Sequence, residues 1–221
     1  MQTFATTAPI TTVIDLPAGR IRLVAGDRAD TTVEVRPADA ARGRDVTAAE
    51  QISVDYADGV LRIAAAPARH QLMGPTGSVE ITVRLPAGSH VEAKVSDADV
   101  RGTGRLGDVT LTADRAAVEL AETAAAHLTV LAGSITVGRL GGPAGISTDH
   151  GDIDVAEAVH GAVVLRTRSG DVTVGAARGV SAVLDAATGH GRIGNALRND
   201  GTPGLTISAT TGHGDITARS L

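Results

Sequence analysis

The chain has 221 residues, a net charge of −5, no Cys and no Trp, and its only large aromatic side chains are Phe4 and Tyr56. The acidic balance, with no basic run and almost nothing to stack on a base, excludes nucleic acid as a partner. The missing Cys excludes disulfides and thiolate metal sites, and the absence of any apolar run of about 18 residues excludes direct membrane insertion by a helix.

Val, Ile, Leu and Ala must therefore fill the core, which suits thin repeated layers better than a bulky globular interior. The first residues, "MQTFATTAPITTVIDLPAG", lack the basic and continuous apolar regions of a secretory signal, so the chain reads as cytoplasmic. Residues 1–95 are rich in strand signals: "ITTVIDLPAG", "RIRLVAG", "TTVEVRP", "QISVDYADGVLRIAA" and "SVEITVRLPAG" are separated by Gly, Pro and Asp turns. Within them, Asp58-Gly59 marks a tight hairpin. The stretch 38–51, "ADAARGRDVTAAEQ", reads as a polar loop with room for one turn of helix. This region forms the strand-rich N-terminal cap of the same domain, ahead of a repeat region at 96–221.

The repeat begins with a glycine followed by an apolar residue two positions on. Copies start at Gly107, Gly133, Gly151, Gly170, Gly191 and Gly214, separated by 26, 18, 19, 21 and 23 residues. Such uneven spacing fits coils whose turns vary in length. Inside each copy apolar residues alternate, as Ile153 and Val155 or Val172 and Val174, so each copy is a strand with one buried face. A second strand-like run follows, such as "AVVLRT", "SAVLDAAT" or "LTISATT". Helix stripes are broken throughout by glycine or β-branched residues. The expected fold is all-β, a parallel β-helix of about five or six coils in which each coil buries its inner face against the next.

Three columns accompany the glycines. Thr148, Thr167, Thr188 and Thr211 stand three residues before them and are expected to form a ladder, each hydroxyl reaching its neighbour. Asp108, Ser134, Asp152, Asp171, Arg192 and Asp215 follow them, and chain order puts Arg192 between Asp171 and Asp215, where it would relieve carboxylate repulsion. His150, Ser169, His190 and His213 precede them. His190 and His213, as neighbours with Asp215 or Asp185 as a third ligand, are the candidates for a Zn-type metal site. The alternative reading is that these are residues tolerated at an exposed turn, with Asp holding the bend by accepting backbone N–H groups. No cofactor is called for.

The phrase "SVEITVRLPAGSHVEAKVSDADVRGTGRLGDVTL", followed by units such as Ser169-Gly170-Asp171-Val172 and the variants at Gly151-Asp152-Ile153 and Gly214-Asp215-Ile216, resembles the bacterial β-strand-repeat family of putative adhesins, also called the toastrack domain. The resemblance covers nearly the whole chain. It implies a right-handed parallel β-helix and a setting linked to envelope or stress-response systems, and it implies no activity.

The expected function is therefore a non-catalytic solenoid scaffold or binding protein with an unidentified protein partner. A polysaccharide-active β-helix enzyme is the alternative, although such enzymes use aromatic platforms for sugar rings and the repeat region has no Phe, Tyr or Trp. A second alternative is self-association through coil ends into filaments. The last copy runs almost to Leu221, leaving little chain to cover a terminal coil.

Overall fold

The computed structural model describes residues 1–66 and 77–221. Two stacks of parallel strands run side by side through the repeat region. Strand β7 (His90–Ala132) supplies the early rungs. The first stack continues from its Val118–Thr123 segment through β8 (Ile135–Leu140), β10 (Ile153–Ala158) and β12 (Val172–Ala176) to β16 (Ile216–Ser220) and β14 (Ile193–Ala196). The second continues from Ala126–Ala132 through β9 (Ala144–His150) and β11 (Gly161–Ser169) to β15 (Leu205–His213) and β13 (Ala182–His190). The protein is a parallel β-solenoid.

Alternation dictates which side chains enter it. Leu128, Ile146, Leu165 and Ala209 form one inward row, and Ile135, Ile153, Val172 and Ile216 another, all at 0 or 1 % exposure. At a rung spacing of about 4.8 Å, aliphatic side chains of this size touch those above and below, and each fully buried one contributes about 1.5–3 kcal/mol. Early rungs are linked on the outside by ion pairs between Arg115 and Asp97 and between Arg101 and Glu119, so β7 itself winds through more than one rung.

The order of rungs in space departs from their order in the chain. Strands β15 and β16 insert between the β11–β12 rung and the β13–β14 rung. Residues 205–220 are therefore an inner coil, and the last coil is 182–196, which corrects the expectation that the final copy forms the end. Parallel rungs offer nearly identical faces to a newcomer, and nothing local in a repeat says which neighbour it takes.

The solenoid also begins before the repeat. Strand β2 (Thr11–Gly26) lies parallel to β7 along its length, pairing Thr11 with His90 and Val24 with Thr103. Two extensions cover β2. On its first half lies the hairpin of β5 (Val60–Ala65) and β4 (Ile52–Ala57), turned at Asp58 and Gly59, both with positive φ. On its second half lies β6 (Val79–Pro86), then β3 (Asp30–Pro37) and β1 (Gln2–Ala5), antiparallel in turn. Phe4 and Tyr56 pack together at 5.3 Å across the two extensions, so the only pair of large aromatics closes this end of the core.

The stretch expected as a polar loop holds an eight-residue helix, α1 (Gly43–Glu50). Its support is tertiary. The Asp45 carboxylate, 3 % exposed, accepts the Ser78 N–H at 3.0 Å, while Ala48 and Ala49 pack against the core. A helix this short is marginal alone, so no local pattern announces it.

Candidate functional site

The repeat's glycines, acids, threonines and histidines meet at one corner between the two stacks. In space the glycines run Gly133, Gly151, Gly170, Gly214, Gly191, and all have positive φ between 135° and 154°. A Cβ on any of them would overlap the carbonyl oxygen of the residue one rung below, which for Gly133 is Ala116 and for the others the preceding glycine. The corner is tight enough that only glycine passes.

Gly107 lies elsewhere. Its N–H donates to the Ser89 carbonyl at 2.8 Å, and it sits beside Gly88 and His90, whereas the place below Gly133 belongs to Ala116. Gly107 and Asp108 therefore belong to a different corner. A Gly-x-Val match alone cannot distinguish two corners of the same coil.

The threonines run Thr148, Thr167, Thr211, Thr188 in space. Their hydroxyls do not reach one another. Each donates to the carbonyl of the key glycine one rung down: Thr148 to Gly133 at 3.2 Å, Thr167 to Gly151 at 3.0 Å, Thr211 to Gly170 at 2.9 Å and Thr188 to Gly214 at 3.0 Å. These partly buried bonds bind rung to rung, each contributing about 1 kcal/mol.

The acids behave likewise. Asp152 Oδ1 accepts the Asp171 N–H at 2.8 Å, Asp171 Oδ1 accepts the Asp215 N–H at 2.7 Å, and Asp215 Oδ1 accepts the Arg192 N–H at 2.8 Å. Arg192 is thus at the end of the column and not between two acids. Its guanidinium still reaches Asp215 Oδ2 at 2.9 Å, so it neutralises the last carboxylate of the stack. Charge-assisted bonds of this kind are stronger than neutral ones.

The backbone N–H and guanidinium of Arg192 together hold the Asp215 carboxyl below the ordinary Asp value. A carboxyl with a lowered folded pKa contributes stability that is complete above its unfolded value of about 3.9 and is lost as pH falls through the folded value. Urea unfolding of the wild type is thus expected to show a falling midpoint below about pH 4. Asp215→Asn should flatten the part of that slope owed to this carboxyl, and an unchanged slope in the variant would show that Asp215 does not contribute.

His150, Ser169, His213 and His190 follow one another in space. The rings of His190 and His213 stack at 4.8 Å with 3° between their planes. Imidazole lone pairs lie in the ring plane, so stacked parallel rings aim them side by side and they cannot converge on one ion at about 2.0–2.1 Å from each. Asp215, one proposed third ligand, is held by Arg192, and Asp185 lies in the middle of β13, in register with Ser208. Among the described residues no group of three or more His, Asp or Glu is placed to hold a metal ion.

A feature the repeat did not reveal is a set of cross-rung ion pairs on the outer face of the first stack and of the β2–β6 strands ahead of it. Arg101 pairs with Glu119, Arg139 with Glu122 and Glu157, and Arg20 with Glu80. For Arg101, Glu119, Glu122, Arg139 and Glu157 a spacing of about one coil length was the signal available, whereas Arg20 and Glu80 lie 60 residues apart and are brought together only by the pairing of β2 with β6. Exposed pairs of this sort each contribute about 0–1 kcal/mol.

A family model described as Toastrack DUF4097 matches residues 12–220. No curated protein matches. Among solved structures, a putative adhesin from Parabacteroides distasonis is 14 % identical, with 100 % of this chain and 95 % of that one covered and a TM-score of 0.42. A putative cell adhesion protein from Clostridium sporogenes is 12 % identical over 100 % and 98 % of the two chains, with a TM-score of 0.39. A putative adhesin from Bacteroides fragilis is 12 % identical over 98 % and 95 %, with a TM-score of 0.37. Within the described residues no helix is long and apolar enough to cross a membrane.

Proposed function

The chain belongs to the Toastrack DUF4097 family, and from that premise we propose that it is a non-catalytic solenoid scaffold that binds a protein partner in an envelope or stress-response system. The observation that carries the reading is the employment of its acids. Asp152, Asp171 and Asp215, the residues best spaced for acid–base chemistry or cation binding, each accept a backbone N–H from the next rung. Each keeps its Oδ2, which in Asp215 faces Arg192. The orientation of each group is nonetheless set by the stack at an exposed corner, a structural employment in place of the enclosed setting that tunes a catalytic acid or base.

The outer face of the second stack supports the binding role. Thr129, Ser147, Arg166 and Thr210 stand in register across it, with Leu131 beside them 52 % exposed. A broad, open face of polar side chains with an arginine and an occasional apolar residue suits contact with another protein surface better than enclosure of a small molecule.

Incubation with acidic polysaccharides tests the reading against its enzymatic alternative. The expected result is no turnover by the wild type, with Asp171→Asn and Asp215→Asn changing only the melting temperature. Turnover that either substitution abolishes would overturn the reading.

A further inference from the structure

The two ends of the solenoid are built differently. At one, the core is covered by the β4–β5 hairpin, the β6–β3–β1 extension and the Phe4–Tyr56 pair, although among the described residues β4 and β1 are themselves paired on one side only. At the other, among the described residues, β13 pairs only with β15 and β14 only with β16, so both strands present unpaired backbone groups along the solenoid axis. The core is uncovered there too. Leu184 and Ala186 are half-buried where Ile207 and Ala209, one rung in, are at 0 %, and Ile193 is 45 % exposed where Ile216 is at 0 %. An edge of this kind is a template for another chain.

We propose that this open end pairs with the same end of a second copy about a two-fold axis, forming a tail-to-tail dimer that closes at two subunits. The end face carries two strands that meet at Gly191. A single extended peptide can pair with one of them, whereas covering both requires a partner whose strands meet at a similar corner. A second copy supplies that corner.

The direction of pairing follows from the acid column. In the parallel stack each rung's Asp accepts the N–H of the next, but the column ends on Arg192, which has only donors to offer. A further parallel rung would lack the charge-assisted bond that fastens the three junctions before it, so stacking in the chain's own sense is weakened there. A two-fold axis across the end reverses strand direction and does not rely on that bond. A two-fold contact is self-complementary and uses up the open end of both copies, so it closes at two subunits unless the far end, whose core is covered, also pairs. Charge agrees with this arrangement: the last rung and the turn after it expose Arg192 and Arg198 together with Asp185 and Asp200, so both signs are available for pairing with their copies. The patch is only one coil wide, and the dimer is accordingly concentration-dependent.

The proposal does not depend on the binding role of the outer face, and its test is separate. Sedimentation velocity over rising protein concentration should show monomer and dimer and nothing larger. Ile193→Lys should raise the dimer dissociation constant about tenfold or more by placing an unpaired charge in the contact, with Ala186→Lys as a second variant and circular dichroism reporting that each remains folded. Because the chain has no Cys, a spin label at Ala187→Cys, on β13, or at Ala57→Cys, on β4, is unique. Electron–electron distances should be short between Ala187 labels and long between Ala57 labels. A strict monomer, a ladder of larger species, a dimer unaffected by both lysines, or one with the Ala57 labels closer than the Ala187 labels would each overturn the proposal.

Discussion

Gly170→Ala is expected to destabilise the protein by about 3 kcal/mol or more, a fall in melting temperature of about 6–12 °C for a chain of this size. The residue has φ of 152°, a region that side chains disfavour, and an added Cβ would overlap the Gly151 carbonyl oxygen and lie 3.0 Å from Asp152 Oδ1. Neither neighbour is free to move. The Gly151 carbonyl accepts the Thr167 hydroxyl and the Asp152 carboxylate accepts the Asp171 N–H, so relief of the clash costs two rung-to-rung bonds. Gly204→Ala is the control, because it has nothing within 4 Å of the new Cβ, and its effect should stay within about 0.5 kcal/mol. Equal effects of the two substitutions in thermal melts would mean that the corner is not as tight as its geometry indicates.

The second large effect concerns rung order. Ile207 is at 0 % exposure in an inner coil, with Val163 below and Leu184 above in the same row. Ile207→Ala should cost about 2–5 kcal/mol, because a narrow core closed on both sides has little freedom to collapse around a cavity. Leu184→Ala should cost about 1 kcal/mol, because that side chain lies in the last coil, is already half-exposed, and loses less buried area. If coils stacked in chain order, Leu184 would be the inner residue and Ile207 the outer one, and the ranking would reverse. Urea denaturation of the two variants therefore reads the stacking order directly, and a larger loss for Leu184→Ala would refute it.

Much of the corner was legible because its requirements are local. The glycines at 133, 151, 170, 191 and 214 are demanded by one backbone geometry, and a side chain is forbidden there whatever the coil's neighbours are. The threonines share a column for a similar reason, yet their partners were not legible. Stacked hydroxyls and a hydroxyl on a glycine carbonyl leave the same mark on a sequence, and only coordinates separate them. The pairing of His190 with His213 followed from the alignment of copies, but the stacking of their rings, which decides against a shared ion, is a matter of side-chain rotation.

Other features were hidden for the same kind of reason. Helix α1 rests on the buried contact of Asp45 with Ser78, 33 residues away. Gly107 matches the repeat in its own short stretch and parts from it only when register places Ala116 below Gly133.

By itself, the sequence determined that this protein is a stack of thin β coils: alternating Val, Ile and Leu specify strands with one buried face, recurrent Gly specifies tight corners, and the scarcity of aromatics specifies a narrow core. Tertiary structure decided the rest: that 182–196 and not 205–220 is the terminal coil, that Arg192 ends the acid column, and that Phe4 and Tyr56 close the opposite end. Periodicity encodes the shape of a rung, which every copy shares. Which rung lies on which is a comparison between nearly equivalent interfaces far apart in the chain, and it is settled only when the whole core is packed.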